Sequence, residues 1–176
     1  VDGRQDLVYE LHLTNMKSPP LKLSKVEVLD SNGRLLAGYE ESEIDALLKR
    51  PGLADDAPDR RILAGGSSAI IFLDLTLPTK NDVPTSLRHR LPVGSTSSKG
   101  EVSSHAFTTE PPPIRSGSPR VLSPPLRGAG WLAANGISNT SDHRRSLVVV
   151  DGKARIAQRF ATDFTRLREG QAFHGD

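Results

Sequence analysis

The run Glu110-Pro111-Pro112-Pro113 constrains this chain more than any other feature. Three consecutive prolines hold an extended backbone and offer no N–H to a ladder, so neither a helix nor a central strand passes through them. The chain therefore reads as a β-sandwich domain at 1–110, a Pro/Gly-rich connector at 111–145 and the start of a second β domain at 146–176. Composition agrees. Only 36% of the 176 residues are hydrophobic and 5% aromatic, against 15 glycines and 13 prolines, which favours short strands and many turns over long helices.

In the front part Leu7, Tyr9, Leu11 and Leu13 alternate with Val8, Glu10, His12 and Thr14, the period of a half-buried strand. After a turn at Asn15 to Pro20, the apolar phase switches between Leu21/Leu23 and Val26/Val28. One extra residue near Ser24-Lys25, a β-bulge, reconciles the two. Ser31-Asn32-Gly33 suits a tight turn and Arg34 to Tyr39 a returning strand. Ser42 is expected to cap a short helix carrying Ile44, Leu47 and Leu48, ended by Pro51-Gly52. Leu53 to Arg61 reads as loop. Ala69 to Leu77 is apolar in both phases at its start, as expected at the centre of a sandwich, with Ile71, Leu73 and Leu75 in the core. Gly94 to Gly100 reads as a hairpin tip and Glu101 to Thr108 as a last, weaker strand.

Behind the prolines, Ile114 to Ser141 is rich in Pro, Gly, Ser and Asn, and regular structure is not expected there. Order returns at Ser146 to Val150, where Asp151-Gly152 signals a hairpin whose partner strand and continuation run from Lys153 to Leu167. The fold class is mainly β: an immunoglobulin-like sandwich, the connector, and a hairpin with too little sheet to be stable alone.

Several functions are excluded. Zero cysteines rule out disulfides, iron–sulfur clusters, thiolate zinc fingers and a Cys nucleophile. No apolar run reaches about 18 residues, so no membrane-spanning helix is expected. Charge is nearly balanced, 23 Lys+Arg against 21 Asp+Glu, and the longest basic cluster, His143-Arg144-Arg145, sits beside Asp142. No nucleic-acid partner follows from such a pattern.

Histidines 12, 89 and 105 read as solvent-facing, and none shares a ligand spacing with another. Asp142-His143-Arg144 stands out because it lies in an irregular, Asn-rich loop, where functional residues concentrate. No HExxH, GxSxG or phosphate-cradling loop occurs. On the strand after the Asp-Gly turn, Arg159 and Asp163 fall in one phase on either side of Ala161, roughly 13 Å apart in a straight strand. They meet at one ion only if that strand bends. A solvated Arg and Asp on a sheet face is the simpler reading of the spacing.

Arg155-Ile156-Ala157-Gln158-Arg159-Phe160-Ala161-Thr162-Asp163-Phe164, preceded by Val148-Val149-Val150-Asp151-Gly152-Lys153-Ala154, resembles the start of a lysostaphin-type zinc metallopeptidase domain. Trp131 to Gly136, Ser138-Asn139-Thr140 and His143-Arg144-Arg145 are similar to the upstream text of one bacterial branch, in which a β-sandwich domain comes first. The resemblance implies a bacterial, extracytoplasmic zinc endopeptidase that cuts peptide cross-links of peptidoglycan. The family's first metal motif is His-x-Gly-x-Asp. Asp163 falls on its Asp as the metal ligand, Ala161 replaces its Gly, and Arg159 replaces its His. A guanidinium stays protonated and cannot coordinate a cation. The family's later His-x-His does not occur before Asp176, and His174-Gly175-Asp176 has the wrong spacing. The expectation is an N-terminal piece with no catalytic residue of its own and no activity as it stands. Asp163 would be its one metal ligand, with Arg159 and His143 beside the site. Zinc would belong to the full-length protein, and peptidoglycan or the chain's own C-terminal peptidase domain would be the partner. The competing expectation is a non-catalytic sandwich that binds or scaffolds.

Overall fold

A computed structural model describes residues 3–97, 99–115, 117 and 121–172; the triplet from His174 to Asp176 lies outside the described residues. The chain forms two compact units, Val1–Ser116 and Gly117–Asp176. Among the described residues no helix is long and apolar enough to cross a membrane.

The first unit comprises β1 (Gln5–Thr14), β2 (Leu21–Leu23), β3 (Val26–Asp30), β4 (Leu35–Tyr39), helix α1 (Glu41–Leu47), β5 (Leu48–Lys49), β6 (Ile62–Leu63), β7 (Ser68–Leu77), a 3-10 turn at Lys80–Asp82, β8 (Leu87–Thr96) and β9 (Val102–Thr108). They build two antiparallel sheets. One has the order β1-β7-β5; the other runs β4-β3-β8-β2-β6, with β9 also on β8. Their inner faces meet in one core, where Ile71, Leu73 and Leu75 of the first sheet join Val26, Val28, Leu87 and Leu91 of the second. Alternation in β1 sends Leu7, Tyr9, Leu11 and Leu13 against that core. β7, inserted between β1 and β5, is buried in both phases from Ala69 to Leu73.

The bulge at Ser24-Lys25 is present. Leu23 opposes Val93 and Glu27 opposes Arg90, so three residues intervene on one strand and two on β8. The Pro92 carbonyl accepts both the N–H and the hydroxyl of Ser24, at 3.2 and 3.0 Å. A proline sits comfortably opposite a bulge because it has no N–H to place. The Asn32-Gly33 turn is held by Asp30, whose carboxylate accepts the N–H groups of Asn32 and Arg34 at 2.9 Å each. Those bonds, led by the Arg34 N–H, hold its carboxyl below the usual range.

Two expectations are corrected here, and one strand was not anticipated. Ser42 does not cap α1. Glu40 precedes the helix, and its N–H donates to the Glu43 carboxylate at 2.9 Å, a longer-range cap that leaves Ser42 in the first turn. Strand β8, which pairs with β2, β3 and β9, occupies a stretch whose alternation is masked by Arg88, Arg90 and Pro92. Its buried phase, Leu87, His89, Leu91 and Val93, includes a histidine, so His89 is not solvent-facing but 2% exposed.

The second unit holds β10 (Trp131–Ala134), a single helical turn α2 (Asp142–Arg145), β11 (Val148–Val150), β12 (Lys153–Arg155) and β13 (Asp163–Arg166). β10 pairs with β13 and β11 with β12. The β11–β12 turn uses Asp151 and Gly152 at φ +51° and +69°, as a two-residue hairpin with matching twist requires. The stretch expected to lack regular structure therefore contributes β10. The Arg166 guanidinium lies 5.8 Å over the Trp131 ring, and Trp131 Nε1 donates to the Arg127 carbonyl at 3.2 Å. All buried apolar residues among those described belong to the first unit; in the second, the buried side chains are His143 and Arg144.

Candidate functional site

The site grows from a turn. Ser141 N–H donates to the Ser138 carbonyl at 3.1 Å, and Ser141 Oγ then accepts the Arg144 N–H at 3.2 Å, capping α2. Arg145 Nε closes the turn on the Asn139 carbonyl at 2.7 Å. These local bonds, which Ser and Asn form readily, fix His143 with its ring inward. Opposite it, β13 pairs with β10 so that Asp163 faces Ala134, and Asn135 follows in a left-handed conformation at φ +44°.

His143 and Asp163 meet. His143 Nε2 stands 3.3 Å from Asp163 Oδ2, and Nδ1 stands 3.3 Å from the Ala161 carbonyl oxygen. Asn135 Nδ2 donates to the same Oδ2 at 3.4 Å. The His143 side chain is 9% exposed and that of Asp163 57%, so the pair has one closed and one open side.

Arg159 does not lie on an extended strand with Asp163. The chain turns at Ala157–Phe160, with Ala161 N–H donating to the Gln158 carbonyl at 2.9 Å, and strand resumes only at Asp163. The alternation that suggested one long strand had no core face to enforce it; Phe160 and Phe164 are both exposed. Spacing alone did not pair Asp163 with His143, which only the family resemblance had put beside it, and Asn135 and the Ala161 carbonyl were missed altogether. The one usable signal in the residues themselves was His143 in an Asn-rich loop.

Zinc ligands tie to Nε2 and carboxylate oxygen at about 2.0–2.2 Å, which puts two ligands of a tetrahedral site about 3.3–3.5 Å apart. The observed 3.3 Å separation has that span. The Ala161 carbonyl meets the other ring nitrogen, as outer partners of metal-bound histidines do. The pair thus offers two donor atoms of the kinds that zinc takes, at a separation that an ion pair also has, with the exposed side of Asp163 open. Among the described residues no three His, Cys, Asp or Glu side chains gather into a metal-holding group.

A second polar feature lies in the sandwich. Tyr9 Oη is 2.9 Å from His89 Nε2, their rings tilted at 59° with centroids 5.5 Å apart. Thr109 Oγ1 accepts the His89 N–H at 3.0 Å and lies 3.5 Å from Nδ1. Burial pushes the His89 imidazole down to about 4 and the Tyr9 phenol upward, so both stay neutral near pH 7. His12 and His105 are exposed on their strands.

No protein-family model, no curated protein and no solved structure matches this chain.

Proposed function

We propose that this chain belongs to a peptidoglycan-directed zinc endopeptidase-like protein, and that His143 with Asp163 forms part of its metal site. The observation that carries the reading is the 3.3 Å approach of His143 Nε2 to Asp163 Oδ2. In this reading a histidine from α2, distant in sequence, would supply the nitrogen that the Arg159 guanidinium cannot. On the same reading Nδ1–H donates to the Ala161 carbonyl, which fixes the tautomer and would leave the Nε2 lone pair for the metal. Asn135 steadies the carboxylate. Bound zinc supplies a polarising Lewis acid and an activated water. Two protein ligands fall short of the about three that such catalysis uses, so the chain by itself holds the ion without turning over substrate. Peptidoglycan as substrate sets the protein outside the cytoplasmic membrane.

Zinc content of the purified intact polypeptide decides the matter. His143→Ala and Asp163→Ala should each lower bound zinc by about tenfold or more, while Arg159→Ala leaves it unchanged. Equal zinc in all four proteins removes the site. A second reading is a sandwich that binds without chemistry, through the largely apolar cleft lined by Leu7–Leu11 of β1, Leu87 and residues 110–115; sedimentation of the chain with purified cell wall tests whether the wall is its partner.

A further inference from the structure

Five asparagines occur in the chain, and two of them, Asn32 and Asn135, precede a glycine. In an Asn-Gly pair the backbone can attack its own side chain with least obstruction, because the following residue has no Cβ. The structure treats the two pairs differently. Gly33 N–H is committed to the Asp30 carbonyl at 3.0 Å and Asn32 N–H to the Asp30 carboxylate at 2.9 Å, so the turn ties down the nitrogen that must attack. Gly136 is not held in this way: among the described residues its N–H makes no hydrogen bond. β10 has ended at Ala134, and a Cβ built on Gly136 would meet only the Thr162 side chain, at 3.9 and 4.0 Å. Asn135 itself is exposed, so water reaches it.

We propose that Asn135 converts itself to a carboxylate, which then stands beside Asp163 and His143 as a third donor for a cation. The Gly136 nitrogen gives up its proton to solvent and bonds to Asn135 Cγ. The Cγ–Nδ2 bond breaks and ammonia leaves, so that a cyclic imide joins the two residues. Water then opens the ring at one carbonyl or the other, leaving aspartate or isoaspartate. The place of the change gives it weight. Asn135 Nδ2 donates to Asp163 Oδ2 at 3.4 Å, and that oxygen lies 3.3 Å from His143 Nε2. Replacing the amide by an acid removes the bond and sets two negative groups side by side, an arrangement that a divalent cation relieves. Three side chains of metal-binding type then gather where two stand before conversion, which matches the about three protein donors of a catalytic zinc site. This last step rests on the metal reading above; the self-conversion does not.

Peptide mass spectrometry of the intact chain, stored in warm and mildly alkaline buffer, tests the conversion. Trypsin places Asn32 in the peptide 26–34 and Asn135 in 128–144, where fragmentation separates Asn135 from Asn139. The amide-to-acid mass shift should build up at Asn135 about three- to tenfold faster than at Asn32, the ratio set by one backbone hydrogen bond. Gly136→Ala, which the open surroundings accept, should slow it. Zinc content is the second readout. Asn135→Asp should hold zinc at least about tenfold more tightly than the parent chain, and adding His143→Ala should cancel the gain. Equal rates at Asn32 and Asn135, or an Asn135 that keeps its amide, overturn the conversion. If the parent binds zinc through His143 and Asn135→Asp binds it no more tightly, the third-donor role is overturned. Zinc binding indifferent to His143 in both chains removes the metal reading and the third donor with it, while a mass shift at Asn135 still upholds the conversion.

Discussion

At the scale of single residues, buried polar groups carry the sharpest consequences. Asn15 is fully enclosed and fully used: its amide donates to the carbonyls of Pro19 and Leu63 at 2.9 Å each and its oxygen accepts the Lys17 N–H at 2.9 Å. Asn15→Ala strands three backbone groups and should cost about 2–4 kcal/mol in urea unfolding. His89 makes stability depend on pH. Its folded pKa of about 4 lies below the unfolded value near 6.5, so the unfolded chain binds more protons between them. Stability is complete above about pH 6.5 and falls by about 3 kcal/mol as pH drops through that window. His89→Gln should flatten the profile between pH 4 and 6.5; an unchanged slope would assign it to other groups. The residue pattern hid this role, because Arg88 and Arg90 gave His89 polar neighbours in sequence while the pleat turned it inward.

Among elements, close backbone approach matters more than propensity. Gly65 and Gly66 look alike in sequence, yet a Cβ on Gly65 would lie 2.7 Å from the Lys17 carbonyl oxygen and 3.0 Å from that of Ser18. Gly66, at φ +78°, has open space around it. Gly66→Ala should therefore cost about 1–2 kcal/mol from the left-handed backbone alone, and Gly65→Ala more. Thermal unfolding of the two variants tests the order. In β7, Leu73→Ala opens a cavity at the junction of both sheets and should cost about 2–5 kcal/mol. Strands whose side chains alternate cleanly or are buried twice, β1 and β7, were legible in the sequence, as were the bulge and both Gly-containing hairpin turns. β8 was not, because its outward phase carries two arginines and a proline. The extended reading of 156–164 failed for the opposite reason: alternation was present, but no core existed to use it.

For the whole molecule, stability is unevenly distributed. The first unit owns every buried apolar residue described, while the second leaves Val148–Val150, Phe160 and Phe164 exposed around a buried His143 and Arg144. Amides of β7 should exchange only through global unfolding, whereas those of 146–167 should exchange orders of magnitude faster. Uniformly slow exchange across both would contradict this division. The mainly β class and the change of character near the prolines were readable from composition and turn residues. The His143–Asp163 approach could not be read from spacing, since it joins residues from a capped turn and a ribbon that no shared period connects; only the family resemblance had set His143 near Asp163.

The basic residues carry one more implication. Arg50 is anchored through Nε to the Ser68 carbonyl and through Nη1 to those of Arg60 and Ile62, while Lys153 and Arg155 stand exposed on the β11–β12 hairpin. Brief trypsin treatment should therefore clip the carboxyl-terminal ribbon first and spare the peptide bond after Arg50, leaving a resistant amino-terminal core as the lasting product.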